Sequence, residues 1–239
     1  MTWKTTFLFA FLAQLISIIG FSFATPFLPF FVGDLGVSDA GAQAFLAGVV
    51  MSTGGLTFAL FAPVWGMLAD RYGRKSMVCR AMFGGALSLL LMSFAQTVPQ
   101  LAVCRLFQGM FSGTVSASIA LVASVTPLSR SGFALGMMQA AVFSGNVIGP
   151  FFGGLAADQF GYRVSFRVGA VMTAIGGLLT LLGTREQFQP PEKGSASRIP
   201  GFRKILLLPG FLLGAIILFG VRFSNSISNP SFPLIIKEM

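Results

Sequence analysis

The sequence predicts an all-α membrane protein with about seven transmembrane helices, and three observations carry that prediction. Hydrophobic residues make up 54% of the 239 residues and charged residues only 10%, whereas a soluble domain has about 25% charged residues. The mean hydropathy is +0.82. The apolar residues also fall into seven runs of about 20 residues or more, the length at which a helix crosses a bilayer.

The seven runs follow one another along the chain, separated by polar gaps. Their approximate bounds are 6–32, 44–68, 77–95, 100–125, 132–156, 164–182 and 205–236. The fourth and fifth runs are rich in Gly, Ser and Ala, which in lipid favours helices packed closely against their neighbours. One long hydrophilic gap, 185–204, contains Pro190-Pro191 and resists regular structure. We therefore expect a six-helix bundle over 1–184, a cytoplasmic linker over 185–204 and one further helix within 205–239.

The distribution of charge predicts the orientation in the membrane. The net charge is +9, and the cations lie in the gaps after the second, fourth and sixth runs, with acids on the opposite side. The first of these groups is Arg71, Arg74, Lys75 and Arg80. This is the positive-inside pattern, which predicts a cytoplasmic N-terminus and a multi-pass protein of the cell membrane. Because the cations form no continuous patch, we expect no nucleic-acid partner.

Two pairs of similar segments indicate internal repeats. Residues 66–74 read GMLADRYGR, and 88 residues later residues 154–163 read GLAADQFGYR. The two copies fall on opposite sides of the predicted membrane, as an inverted three-plus-three repeat requires. Residues 26–29 (PFLP) are similar to residues 230–233 (PSFP), which makes the seventh helix the counterpart of the first. We therefore expect a second six-helix half of which this chain holds only the first helix.

The segment between the second and third runs has a specific pattern of residues. Gly66 allows another helix to approach closely, Gly73 permits a tight reversal, and the Asp70 carboxylate can meet a helix N-terminus or a basic residue. A merely basic loop would need the cations but not the two glycines and the carboxylate. The candidate residues are Gly66, Asp70, Arg71, Gly73, Arg74 and Lys75.

The fourth run contains an arginine, Arg105. A charge inside the membrane is costly and normally faces a partner or an aqueous cavity. On a continuous helix Arg105, Gln108, Ser112 and Ser116 lie at i, i+3, i+7 and i+11 and form one polar stripe. The alternative is an arginine that snorkels to the outer interface from about one turn inside the membrane.

The fifth run contains the sequence GNVIGPFFGG at residues 145–154. Its candidate residues are Gly145, Gly149, Pro150, Gly153 and Gly154. The proline removes a backbone hydrogen bond and can bend the helix, while the glycines let a facing helix approach. Packing alone also produces such glycine-rich membrane helices.

Four further polar residues are candidates for lining a cavity within the membrane. Gln139 and Asn146 lie seven residues apart, although plain interhelical hydrogen bonding explains them equally well. Gln14 lies in the first run, and Arg222 lies deep in the seventh with no counterpart at Ile18.

The three segments together resemble known transporter signatures. Residues 66–75 resemble the loop signature of the major facilitator superfamily at every defining position. The segment with Arg105, Gln108 and Gly109 resembles the fourth-helix signature of drug:proton antiporters, and residues 145–154 resemble the fifth-helix signature of the same antiporters. The resemblance covers the whole chain and implies a twelve-helix fold in two halves.

The resemblance also implies roles for individual residues. Asp70, Arg71 and Arg74 are expected to form a charge-relay latch between the halves, and Arg105 is expected to take part in proton coupling. The membrane interior of this half has no carboxylate, so a proton-binding carboxylate is expected in the second half. A chain with one complete half is then not expected to transport by itself.

The function implied is secondary active transport, namely proton-coupled efflux of small apolar or amphipathic compounds by alternating access. The partners are then a small-molecule substrate, protons and the lipid bilayer; the proton gradient supplies the energy without any other cofactor, and the full-length protein works as a monomer. The alternative within transporters is a symporter or uniporter for a nutrient or metabolite. A receptor or scaffold is a different class, but a seven-span receptor would need its N-terminus outside. The chain has no His, so a His-ligated metal site is excluded, and no Ser/His/Asp set suggests an enzyme.

Overall fold

The helices of the structure match the predicted runs and extend several of them. The computed structural model describes residues 2–186 and residue 188, and this part contains helices and loops but no β-strand. Six spans in it are long and apolar enough to cross a membrane. They are α1 (Trp3–Ala24) with α2 (Leu28–Asp34), α3 (Ala40–Tyr72), α4 (Arg74–Met92), α5 (Val98–Phe111) with α6 (Thr114–Val125), α7 (Leu128–Phe160) and α8 (Tyr162–Gly183). The predicted all-α class and the six helices of the bundle are confirmed.

Several predictions fall outside the described residues. These are the seventh helix over 205–236, the part of the linker beyond residue 188, the candidate Arg222, and the similarity of residues 230–233 to residues 26–29. All the described helices belong to one unit, Met1–Gln189.

The two triplets of spans have the same backbone geometry 88 residues apart. Helices α3 and α7 are each 33 residues long and are followed by Gly73 and Gly161. These glycines have φ 87° and ψ 157° in one case and φ 81° and ψ 161° in the other, a positive-φ conformation that glycine adopts at little steric cost. Because consecutive spans run antiparallel, the two turns lie at opposite ends of the bundle. The inverted repeat predicted from the two similar segments is therefore present in the backbone.

Each triplet begins with a span that is broken at the same place. In the first span a 3-10 turn, Thr25–Phe27, separates α1 from α2. In the fourth span Ser112 and Gly113 separate α5 from α6, with Gly113 at φ 115°. Thr25 and Gly113 are again 88 residues apart. The prediction of one continuous helix over 100–125 is wrong at this point, because the backbone becomes left-handed at a residue that has no side chain to oppose it.

Helix α1 is the central element of the bundle and packs against both α7 and α8. Glycines face it from both neighbours: a Cβ on Gly149 would lie 2.8 Å from the Ile19 oxygen, and a Cβ on Gly176 would lie 2.8 Å from the Ala13 oxygen. Contacts this short leave no room for a side chain, so glycine allows the backbones to touch. In lipid, where apolar burial does not drive helices together, such close contact supplies the van der Waals packing.

The largest apolar cluster lies where α2 meets the C-terminal end of α4 and the N-terminal part of α8. Phe31 of α2 and Phe166 of α8 are fully buried there, with ring centroids 5.2 Å apart. In contrast, α3 and α7 are the least buried of the six spans. Their outward faces carry large apolar side chains such as Phe45 and Phe151, as expected of surfaces that meet lipid or other apolar helices.

Helices α4 and α8 are tied to each other at both of their ends. Near the start of α4, Lys75 Nζ donates to the carbonyl of Thr184 at the end of α8, at 2.7 Å. Near the start of α8, Arg163 Nη1 donates to the carbonyl of Ser93 at the end of α4, at 2.9 Å. Each cation therefore lies at the negative end of a helix dipole, where it is stabilising.

Candidate functional site

The turn between α3 and α4 is built around Gly73. Its positive φ reverses the chain within one residue, and its N–H donates to the carbonyl of Ala69 at 3.0 Å. The tight reversal predicted from the sequence is therefore observed. Gly66 is different, because no described atom lies within 4 Å of the position of a Cβ on it. The close helix approach predicted at Gly66 is not made within the described part of the chain.

The charged residues of this turn fall into two groups. Arg74 and Lys75 are directed into the bundle, where Arg74 Nη1 donates to the carbonyl of Ala120 at 3.1 Å and Lys75 binds the end of α8. Asp70 and Arg71 are exposed, and the guanidinium of Arg71 lies 5.5 Å from the ring centroid of Tyr72. Only Asp70 and Arg71 are therefore free to meet a surface beyond the described residues, while Arg74 already has a partner inside the bundle.

Arg105 lies inside the bundle. Its side chain is only 8% exposed, and its Nη1 donates to Gln108 Oε1 at 2.6 Å. This burial contradicts the alternative in which Arg105 snorkels to an interface. Its Nε and Nη2 have no hydrogen-bond partner among the described residues. A buried guanidinium with unpaired donors lowers the stability of the fold. The packing of the bundle therefore does not explain why an arginine occupies this position.

Gly109, one residue after Gln108, sets the distance between α5 and α3. A Cβ on Gly109 would overlap the Gly54 carbonyl and Thr57 Oγ1, while a Cβ on Gly54 would lie 3.3 Å from the Arg105 carbonyl. The two helices therefore touch through their backbones beside Arg105. This contact gives Gly109 a packing role as well as its place in the signature.

The predicted polar stripe does not continue beyond Gln108. Ser112 lies at the helix break, where its Oγ donates to the Gln108 carbonyl at 3.0 Å. Ser116 lies in the first turn of α6, is exposed, and donates to the Gly113 carbonyl. Because the break changes the helical phase, the assignment of Ser112 and Ser116 to one stripe with Arg105 is wrong.

The glycines of α7 face α1 as a group. Gly145, Gly149 and Gly153 are buried, and a Cβ on Gly153 would overlap the Phe23 carbonyl. Gly154 points elsewhere, with a Cβ position 3.2 Å from the Phe27 ring. Pro150 lies inside α7, which continues as one helix on both sides of it. The predicted shared glycine face is observed, and it packs directly on the backbone of the central helix.

The polar candidates of the first and fifth spans have three different environments. Asn146 Oδ1 accepts a hydrogen bond from Ser22 Oγ at 2.7 Å, which links α7 to α1. Gln139 is exposed. Gln14 is fully buried inside the bundle, so in this conformation it does not line an open surface. Its two amide atoms have no hydrogen-bond partner among the described residues.

The sequence analysis missed a pair of residues at the break in the fourth span. The break frees the carbonyls of Met110 and Ser112, which need donors in a membrane. Trp65 Nε1 donates to Met110 at 2.6 Å, and Arg80 Nη2 donates to Ser112 at 3.3 Å. The Arg80 guanidinium also lies 3.7 Å from the Trp65 ring centroid. Arg80 was counted among the loop cations, but it lies in α4; its position four residues inside the third apolar run is the signal that could have identified it.

A family model described as Major Facilitator Superfamily matches residues 10–239. The chain belongs to the major facilitator superfamily. Together with the six membrane spans, this makes it a multi-pass protein of the cell membrane.

Curated relatives in the superfamily include named drug exporters. The chain is 33% identical over 238 residues to the multi-drug resistance efflux pump PmrA of Streptococcus pneumoniae, covering 99% of this chain and 59% of PmrA. It is 41% identical over 191 residues to the multidrug resistance protein MdtG of Citrobacter koseri, covering 80% of this chain and 47% of MdtG. The chain thus spans about half the length of the curated relatives it matches.

Solved structures of the superfamily fold are also similar. The human organic anion transporter MFSD10 (TETRAN) matches with a TM-score of 0.68 and 18% identity, covering 79% of this chain and 49% of that one. The POT family transporter PepTSo matches with a TM-score of 0.70 and 15% identity, covering 96% of this chain and 50% of that one. At these identities the likeness shows the fold.

Proposed function

We propose that the protein exports small apolar or amphipathic compounds in exchange for protons, by alternating access. The observation that carries the proposal is the 33% identity, over 99% of this chain, to a protein named a multi-drug resistance efflux pump. In this proposal the proton gradient supplies the energy without a further cofactor, and the functional unit is a monomer. The described bundle supports alternating access because it is a six-helix half built of two inverted triplets, the kind of unit that moves against a second half around a central site.

In this proposal Arg105 is the proton-coupling residue of the described half. An arginine keeps its positive charge under all ordinary conditions, so it acts through the field it places on neighbouring groups and on bound substrate. Gln108 fixes one edge of the guanidinium at 2.6 Å, and the other nitrogen donors remain available. The acidic residues of the described part lie at or beyond helix ends, so the group that carries the proton is proposed to lie outside it.

The glycine face of α7 is proposed to seal the bundle against protons. Backbone contact at Gly145, Gly149 and Gly153 leaves no room for a water file between α1 and α7. A tight seal is needed by an antiporter, since a proton that crosses without substrate wastes the gradient. Asp70 and Arg71 are proposed to form the latch to the other half, because their side chains are exposed beside the rigid Gly73 turn.

The test is transport in proteoliposomes that contain the purified full-length protein, since one complete half is not expected to transport by itself. An imposed pH gradient should drive accumulation of an amphipathic dye such as ethidium on the acidic side, and dye should in turn collapse the gradient. An ionophore that dissipates the gradient should abolish dye movement. Movement of protons and a nutrient in the same direction, without any dye transport, would reject efflux in favour of symport.

A further inference from the structure

The turn at Gly73 carries a contact that its symmetric counterpart lacks. Glu186, three residues after the end of α8, lies with its carboxylate at the start of α4. The backbone N–H of Arg74 donates to Oε1 at 3.0 Å, and that of Lys75 donates to Oε2 at 2.8 Å. The carboxylate thus binds two of the N–H groups that a helix N-terminus leaves without intrahelical partners. The two contacting residues are 111 and 112 positions away in sequence.

The turn at Gly161 shows that the fold does not require this carboxylate. Its glycine has the same dihedral angles, its following helix α8 begins in the same way, and Arg163 makes the matching tie to the end of α4. The residue three positions after the end of α4 is Ala95, which is buried in the apolar cluster. No described side chain accepts from the N–H groups of Tyr162 or Arg163. The same reversal is therefore built with a carboxylate at one end of the bundle and without one at the other.

Glu186 also limits which side chains could be accommodated at position 73. A Cβ there would lie 2.9 Å from Glu186 Oε2 and 3.2 Å from the ring of Phe188. Glu186 and Phe188 are thus both held against the turn. The first residues after α8 are fixed to the segment that presents Asp70 and Arg71.

We propose that Glu186 is a positioning residue for the Asp70–Arg71 latch, and that it fastens the start of the segment after α8 to that latch. The carboxylate holds the first turn of α4 in place. Because only Gly73 separates α4 from α3, the last turn of α3, which contains Asp70 and Arg71, is held in place as well. Movement of the segment after α8 then moves the latch with it. The inference rests on the proposed transport function for its activity readout, but the contact itself is measurable without transport.

The first experiment measures the contact. In Glu186→Gln the side chain keeps its shape, but an amide NH2 replaces one acceptor oxygen and the charge is lost. Amide hydrogen exchange at Arg74 and Lys75 should become about ten-fold faster or more, since a charged acceptor stabilises a hydrogen bond by at least that factor. Glu186→Asp keeps both oxygens and should restore part of the protection. Exchange that is unchanged in Glu186→Gln would overturn the proposal whether or not the protein exports drugs.

The second experiment asks whether Glu186 acts through the latch. Turnover of ethidium efflux is measured for the full-length wild type, Asp70→Asn, Glu186→Gln and the double variant. We expect each single variant to lower kcat several-fold with little change in KM, and the double variant to be no slower than Asp70→Asn. Independent effects that multiply in the double variant would reject the positioning role. Absence of efflux in the wild type would reject the proposed function instead. The hydrogen-exchange result alone would then show whether Glu186 holds the turn in place.

Discussion

The glycine contact between α7 and α1 gives the sharpest quantitative prediction. In Gly149→Ala the new Cβ would lie 2.7 Å from Ser22 Cβ, 2.8 Å from the Ile19 oxygen and 3.1 Å from the Ser22 carbonyl carbon. Two of these three atoms belong to the backbone of the central helix and cannot rotate away. The helices must therefore separate by several tenths of an ångström along this face.

Two opposing effects decide the magnitude. Alanine is favoured over glycine inside a helix by about 1 kcal/mol, and inserting a methyl group into a packed contact costs about 1–3 kcal/mol. Gly136→Ala in the same helix isolates the first effect, because nothing lies within 4 Å of its Cβ position. The difference between the two variants cancels the helix propensity. Gly149→Ala should therefore be less stable than Gly136→Ala by about 1–3 kcal/mol.

The assay is thermal unfolding of the two variants in the same detergent, followed by the proton permeability of vesicles that contain them. For a chain of this size about 1 kcal/mol corresponds to a Tm shift of about 2–4 °C, so the two Tm values should differ by several degrees. Vesicles with Gly149→Ala should also lose an imposed pH gradient faster without substrate. A Gly149→Ala protein that is as stable as Gly136→Ala would refute the packing argument, and one that is destabilised but proton-tight would refute only the seal.

Three further predictions concern other parts of the bundle. Arg105→Lys loses the planar fork that binds Gln108 and should lower proton-driven dye efflux at least ten-fold while the Tm changes little; normal efflux by Arg105→Lys would end its coupling role. Gly73→Ala and Gly161→Ala share the strain of a positive-φ extended conformation, about 1–3 kcal/mol, but only the first also meets a carboxylate, so its Tm should fall further; equal losses would argue against that contact. Trp65→Phe should lower stability by about 1 kcal/mol through the lost indole hydrogen bond at the helix break, and an unchanged Tm would show that the freed carbonyl has another donor.

The sequence was sufficient for the features that depend on local composition. Hydropathy located the six described spans, and the pattern around Gly73 predicted a tight reversal that the dihedral angles bear out. The period of four in the fifth run placed three glycines on one face, and that face does contact another helix. Each of these inferences needs only the residues of one segment.

The features that the sequence left open depend on distant partners or on a single backbone dihedral angle. The break at Gly113 lies in a continuous apolar run rich in small residues, where a left-handed glycine and a helical glycine look the same. Hydropathy also could not distinguish a glutamine that lines a cavity from one that is buried in the bundle, as Gln14 is. The carboxylate of Glu186 reaches a helix start more than one hundred residues away, and no local pattern encodes that contact.

The two equivalent turns of the bundle can be compared to distinguish the features that the fold requires from those that it does not. The turns at Gly73 and Gly161 have the same backbone angles and matching ties between α4 and α8, so those features are what the fold needs to reverse the chain. Two kinds of group at the Gly73 turn have no equivalent at the Gly161 turn: the cations Arg71 and Arg74, where the other turn has Gln159 and Tyr162, and a carboxylate that reaches the turn from beyond α8. An addition that the equivalent turn does without cannot be explained by the stability of the reversal. From the asymmetry between two equivalent turns we therefore propose that the Gly73 end, and not the Gly161 end, is the one at which the bundle meets another part of the transporter.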